Sequence, residues 1–514
     1  MGLRGGLKFL PLSMLIALGG CTVGPDYLMP TIHTPELFTG SLQGKGAGIT
    51  AVSQVNADEI VHWWKLLNDP ELESLVQRAV VANPDLAIAA TRIRAARENE
   101  VAVRGAALPV VDTSVGAGRG SGTNSTKGRV ASPLNAATDT TGLKEITYVA
   151  GFDAGWEIDL FGKDRRALEA AKYETDAAIE TRRAVLVSVV AEVARAYVET
   201  RGLQAKLKAA EENVARAKKS LDLVRARFDR GLTNEYDVAL ASRQLSTLQA
   251  AAAPLSAEIY AGCARIALML GTYSAGVCNE LQNFKGIPKT PARLRTGVPA
   301  DLVRRRPDVR AAERALAIET ARIGVAVADL FPRVAITAGG GAQGQGLGVV
   351  PVISKSIYSV GPSLYWPLLD FGTLDAIVNV QRLRADENFI NYRRTVVASI
   401  DEVNVGLARY RARMATVKSL ESAIKDSKHA VDLASERYER GVTDFLNVLD
   451  AERQEDELAI QLAQAQADAA NAFIAVYKAL GGGWEMFDED FPAPVARPAI
   501  AAAFDHLHDG VSGG

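Results

Sequence analysis

Cysteine is nearly missing from these 514 residues; Cys21, Cys263 and Cys278 are the whole supply. The histidines number five and are scattered, so a metal centre lacks ligands at any useful spacing and no metal or other cofactor is expected. Neither sign of charge dominates: 58 Lys and Arg face 60 Asp and Glu. That balance leaves no basic footprint for nucleic acid. No nucleophile–base pair or pair of catalytic carboxylates stands out, which argues against an enzyme. Beyond the first 20 residues, no apolar run is long enough for a membrane helix. Any membrane crossing by the mature chain must therefore use strands.

The first 20 residues are a different matter. Arg4 and Lys8 precede an apolar run from Phe9 to Leu18, and two glycines follow. This is the pattern of a secretory signal. Simple cleavage near Gly20 would fit, but Leu18-Gly19-Gly20-Cys21 also resembles a bacterial lipobox. A cysteine at the cleavage point favours acylation, making Cys21 a lipid-bearing (palmitate-type) N-terminus. Cys263 and Cys278 flank Leu270-Gly271 in a compartment that permits disulfides. A bridge between them competes with a plainer reading, in which Cys263 fills the apolar helix position held elsewhere by Phe473.

What the chain has in quantity is itself, twice. Trp156-Glu157-Ile158-Asp159-Leu160-Phe161-Gly162 returns as Trp366-Pro367-Leu368-Leu369-Asp370-Phe371-Gly372. Arg227-Phe228-Asp229-Arg230-Gly231-Leu232-Thr233 returns as Arg437-Tyr438-Glu439-Arg440-Gly441-Val442-Thr443, and Leu270-Gly271 as Leu480-Gly481. The offset stays at 210 across all three pairs, so the 116 residues from Trp156 to Gly271 repeat without an insertion. Such a period describes a duplicated half-molecule, not a short solenoid repeat. Further back, Asn83-Pro84-Asp85 and Ala107-Leu108-Pro109 match Arg306-Pro307-Asp308 and Leu330-Phe331-Pro332 at an offset of 223. The excess falls in Gly120 to Lys144, a Gly/Ser/Thr/Asn stretch without periodicity that reads as a loop.

Alternation marks four strands around that loop and its counterpart. Residues 146–156 carry apolar side chains at even positions; Tyr358, Val360, Pro362, Leu364 and Trp366 repeat the pattern. Val111, Thr113, Val115 and Ala117 form a third strand, and Val334, Ile336 and Ala338 belong to a fourth. Each runs about 10 residues, enough for a tilted strand to cross a bilayer. The glycine-rich run Gly339 to Gly346 superficially suggests a nucleotide loop, but it opens no helix and is expected to be a surface loop.

Long helices run from Gly162 to Gly231 and from Gly372 to Gly441. At 1.5 Å per residue each would reach about 100 Å. Heptad spacing is present in Leu207, Val214, Leu221 and Phe228, and again in Val417, Ile424, Val431 and Tyr438. A returning helix follows each glycine, so each copy ends as a coiled hairpin. Four strands leave two open edges that lipid cannot satisfy. Two chains would give eight strands and a barrel filled by its own side chains. Three give twelve, with room for a water path. The fold class expected is mainly α with a membrane β-barrel: a homotrimer closing a 12-stranded β-barrel and a periplasmic α-barrel of hairpins.

At this point the chain resembles a known family, the outer-membrane factors of tripartite efflux systems, in their TolC/OprM/NodT lipoprotein branch. The resemblance is carried by Cys21-Thr22-Val23-Gly24-Pro25-Asp26-Tyr27, Trp63-Trp64, Arg305-Arg306-Pro307-Asp308-Val309-Arg310-Ala311-Ala312-Glu313 and Tyr477-Lys478-Ala479-Leu480-Gly481-Gly482-Gly483-Trp484. It implies a trimeric channel in the Gram-negative outer membrane, anchored in outer-membrane lipid. It also implies a periplasmic membrane-fusion adaptor and an inner-membrane pump, usually of the resistance-nodulation-division type, as partners. Thr22 rather than Asp after the acylated cysteine resembles the outer-membrane sorting pattern. An outer-membrane conduit for protein secretion is the alternative.

The same resemblance places function at the hairpin tips. Leu446, Asp450 and Arg453 share one helical stripe. The family pattern puts Leu446 and Asp450 at the periplasmic constriction, with Arg453 a turn further in. Tyr438 and Asp237 match a link that pins the closed state. Thr443 and Asn447 depart from the arginine and second aspartate of some members. Gly231, Leu232, Gly441 and Val442 would present the tips to the adaptor. The expected division is a signal peptide at 1–20, a lipidated arm at 21–62, helices of the first repeat at 63–109 and a barrel hairpin at 110–157. A long hairpin at 158–271 and an equatorial linker at 272–299 follow. The second repeat has helices at 300–332, a barrel hairpin at 333–367 and a long hairpin at 368–481, before an equatorial segment and tail at 482–514.

Overall fold

The computed structural model describes residues 22–36, 38, 48–51, 57–118, 146–291, 293–296, 298–346 and 352–488. Cys21 and the Gly120–Lys144 stretch expected to be a loop lie outside them. Two compact units are present. One gathers residues 1–31, 93–178 and 312–392; the other gathers 32–92, 179–311 and 393–514.

The first unit holds an antiparallel sheet of β2 (Val110–Gly118), β3 (Ile146–Ile158), β5 (Arg333–Gly346) and β6 (Val352–Tyr365). The order is β2-β3-β5-β6, so β3 and β5 join the two copies and, among the described residues, the outer edges of β2 and β6 carry no strand. Val115, Tyr358, Val360 and Leu364 are all exposed. A soluble sheet would bury such a face against a second layer. The Gly339–Gly346 run is therefore not a loop but the end of β5. Its small residues let neighbours lie across the ladder: a Cβ on Gly340 would come within 3.2 Å of the Phe152 ring. The duplication is visible in single bonds as well. Trp156 Nε1 donates to the Ala107 carbonyl at 3.1 Å, and Trp366 Nε1 to the Leu330 carbonyl at 3.0 Å.

Where strand turns into helix, the copies part company. Gly162 has φ +83 and lies so close to the N-terminal arm that a Cβ would meet Thr22 at 2.8 Å. Val23 donates its N–H to the Phe161 carbonyl at 3.1 Å, and Arg166 Nη2 bonds Asp26 at 2.6 Å. Phe161 stacks on Phe331 with ring centroids 4.6 Å apart. In the second copy Gly372 has φ +84 with open space around it, and Phe371 is 97% exposed.

The helices are α4 (Lys163–Phe228) returning as α5 (Glu235–Met269), and α9 (Thr373–Glu439) returning as α10 (Phe445–Ala479). Pro254 lies inside α5 without ending it. In the second unit, α2 (Pro70–Ala82) starts on Asp69, whose carboxylate accepts the N–H of Glu71 at 3.0 Å and of Leu72 at 3.2 Å. Arg201 is fully buried against Glu71 and donates to the carbonyls of Leu281 at 3.2 Å and Asn283 at 2.9 Å. Trp63 stacks on Tyr477 and Trp64 on Phe487, so the paired tryptophans of the sequence are core.

Two short strands were not anticipated. β1 (Gly48–Ala51) and β4 (Arg293–Thr296) pair in parallel, making six described strands, not four. Four residues are too few for alternation to register against loop composition. A short helix, α6 (Ser274–Glu280), also interrupts the stretch expected to be linker. Cys263 and Cys278 are free thiols, so the bridge weighed above is not made here. Burial and the neighbouring Cys278 push the Cys263 thiol up to about 12.

Candidate functional site

The two hairpin tips are built alike. Gly231 and Gly441 adopt φ +74 and +72, a left-handed conformation that glycine takes without Cβ strain. Leu232 N–H bonds the Arg227 carbonyl and Val442 N–H the Arg437 carbonyl, each at 2.9 Å, closing α4 and α9 by the same turn. Asn234 then caps α5, accepting the Asp237 N–H at 3.1 Å.

Between the tips lies an apolar cluster: Leu221 and Val224 of α4, Leu240 and Ala241 of α5, Tyr438 of α9, and Phe445, Val448 and Leu449 of α10. Tyr438 is buried at its centre, 5.5 Å from the Phe445 ring. The Arg227 guanidinium sits 4.6 Å from the Tyr438 ring centroid and donates to the carbonyls of Tyr438 and Glu439, each at 3.1 Å. Tyr438 and Asp237, matched above to a link that pins the closed state, lie on α9 and at the start of α5. The Tyr438 hydroxyl is buried beside Thr233, whose own hydroxyl donates to the Asp237 carboxylate.

Leu446, Asp450 and Arg453 come together as expected, on the exposed face of α10. Leu446 is 58% exposed, and Asp450 accepts a bond from Gln454 at 2.9 Å. Leu232 and Val442, at the turns themselves, are exposed too. Tyr438 is buried in the tip cluster and Asp237 is half-buried in the first turn of α5, so neither is on that face.

The buried face of α10 holds what sequence reasoning missed. Glu452, Glu455 and Asp456 are buried against α4, where Ser220 donates to Glu452 at 2.5 Å and Arg216 reaches Asp456 at 3.0 Å and Glu455 at 3.5 Å. Asn213 Nδ2 adds a bond to the Asp456 carbonyl at 3.3 Å. Burial pushes Glu452 above the usual carboxylate range despite the Ser220 bond. It raises Asp456 as well, against the pull of Arg216. Three acids at i, i+3 and i+4 share a helix face, and that spacing could have signalled them. The arginine-rich motif around Arg306 is structural: its guanidinium ties Asp308 and Glu402, each at 2.8 Å, to the Ala479 carbonyl at 2.6 Å.

Comparison with known proteins agrees with this arrangement. The family model described as outer membrane efflux protein matches residues 75–272 and 298–482, one stretch per copy. Nodulation protein T of Rhizobium leguminosarum bv. trifolii is 29% identical over 94% of this chain and 97% of its own length. The toluene efflux pump outer membrane protein TtgI of Pseudomonas putida is 30% identical over 93% of this chain and 99% of its own. The solved outer-membrane channel OprN superposes with a TM-score of 0.76 at 34% identity, covering 90% of this chain and all of that one. The open-state MtrE channel of Neisseria gonorrhoeae gives 0.72 at 26% identity, over 90% and 99%. The chain belongs to the outer membrane efflux protein family: it is no enzyme but the outer-membrane channel of a Gram-negative tripartite efflux pump, with a large periplasmic portion.

Proposed function

We propose that three copies of this chain form one tube and that the exposed face of α10 gates its periplasmic end. The carrying observation is the unfinished sheet: β3 of the first copy pairs with β5 of the second, and the equivalent partner for β6 is β2 of another chain. Three chains close twelve strands around a water path. Around the same axis six hairpins bring their tips together. Leu446 then forms an apolar ring and Asp450 an acidic one, whose crowded carboxylates repel unless a cation or Arg453 offsets them.

The turns at Gly231-Leu232 and Gly441-Val442 take the adaptor hairpin, and the inner-membrane pump, of the resistance-nodulation-division type, feeds the tube through it. Thr22, the first described residue, packs on Gly162 where strand meets helix. Acyl chains on Cys21 would enter the membrane beside that corner. Relatives named for toluene and solvent efflux support small apolar compounds as cargo. Replacing Asp450 by Ala should raise single-channel conductance in planar bilayers severalfold. Conductance equal to wild type would remove Asp450 from the gate.

A further inference from the structure

The contact between the two tips of one chain has a counterpart that one chain cannot complete. Within the chain, Arg227 covers the ring of Tyr438 and bonds the carbonyls of Tyr438 and Glu439. Moving each participant by the repeat of 210 turns Arg227 into Arg437, Tyr438 into Phe228 and Glu439 into Asp229. The residue types survive the shift: arginine for arginine, aromatic for aromatic, acid for acid. In the single chain the Arg437 guanidinium and the Phe228 ring are not used this way, and the Phe228 carbonyl takes only the Gly231 N–H at 2.8 Å, as the Tyr438 carbonyl takes the Gly441 N–H at 2.9 Å beside Arg227, among the described residues. Arg437 is exposed and makes no side-chain bond or ring contact among the described residues, and Phe228 is 42% exposed.

We propose that Arg437 is an assembly residue, its guanidinium seated over Phe228 of the neighbouring copy and donating to that copy's Phe228 and Asp229 carbonyls. This rests on the three-copy reading, in which hairpin two of one chain stands beside hairpin one of the next. The chemistry suits the place. Phe228 ends α4, where the helix carries partial negative charge and each carbonyl has a second lone pair for a guanidinium beside its turn bond. An aromatic face adds attraction for the guanidinium plane. Phenylalanine serves as well as tyrosine here, since Arg227 meets the ring and the main-chain carbonyl of Tyr438 and not its hydroxyl.

Selectivity of the shift strengthens the assignment, because the other polar contacts of the tip do not carry over. Arg216 and Ser220 become Asp426 and Ala430, while Glu452, Glu455 and Asp456 become Ser242, Leu245 and Ser246. The apolar cluster thins likewise: Leu240, Phe445 and Leu449 become Asp450, Glu235 and Ala239. The seam between copies thus lacks the charged and much of the apolar support of the seam within a chain, and the arginine–aromatic contact is what it retains.

The test uses full-length protein in detergent with Cys263 and Cys278 replaced by serine. Arg437→Cys is combined with Phe228→Cys and treated with a short bismaleimide; Arg227→Cys with Tyr438→Cys is the control. The inference expects denaturing gels to show two- and three-chain species from the first pair and one-chain species from the control. Arg437→Ala should also lower the temperature at which the assembled particle dissociates, with partial rescue by Arg437→Lys. A particle that light scattering shows to be three chains, yet whose 437/228 pair gives no interchain product while the control bridges, overturns the contact alone. A wild-type particle of one or two chains sinks the three-copy reading and this contact with it.

Discussion

The two copies share their plan and differ in where each is finished. In the first, the corner at Gly162 is covered by the N-terminal arm and Phe161 stacks on Phe331. In the second, Phe371 and Leu369 stand exposed at 97% and 83%. The helices repeat the contrast: Arg201 is fully buried on Glu71, whereas its counterpart Arg411 is half-buried. Duplication set the lengths and turns, and later divergence decided which surfaces close within the chain. The first copy is completed by its own arm. The second offers bare surface that a neighbouring chain can use.

Three measurements press on that contrast, beginning with the largest expected effect. Replacing Arg201 by Ala leaves Glu71 buried without its guanidinium, a loss of about 3–5 kcal/mol for a broken buried pair. Arg411→Ala should cost well under half of that. Thermal unfolding of the two variants checks the order, and equal losses would erase the distinction between copies. At the gate, the Asp450→Ala conductance change is a smaller and local effect, expected without loss of assembled protein.

The smallest effect concerns pH and the acid cluster that only the in-chain seam possesses. Glu452 and Asp456 are raised by burial, facing Arg216, Ser220 and Asn213 of α4, Gln244 of α5 and each other beside Glu455. A carboxyl raised in the packed state binds its proton more tightly there than when exposed. Its stabilising contribution is therefore full in acid and fades as pH rises through the ordinary and then the raised value. Amide-exchange protection of α10 around residues 448–456, corrected for intrinsic rates, should fall from acidic to neutral pH. Glu452→Gln with Asp456→Asn should flatten that dependence. Protection that grows with pH would contradict it.

Much of the molecule was legible because repetition amplifies weak signals. Either Trp-x-x-x-x-Phe-Gly corner would be unremarked alone; two at a fixed offset dated the strands, helices and turns together. The stripe of Leu446, Asp450 and Arg453 was readable from spacing, since one helix positions all three. Contacts across helices were not. Tyr438 and Asp237 lie 201 residues apart in the sequence, and Thr233, one turn from Asp237, takes the carboxylate first. The buried acids escaped because charge on a helix ordinarily marks the solvent side, and it is partners on other helices, Arg216, Ser220 and Gln244, that make their burial tolerable. The β5 glycines were misread since glycine is scarce in strands unless a neighbour needs its space, as Phe152 does.

The most direct test is the mass of the detergent-solubilised mature protein by light scattering with the detergent contribution subtracted. The account predicts three chains per particle, enough to close the open sheet edges around a water path. A particle of one or two chains would contradict the account.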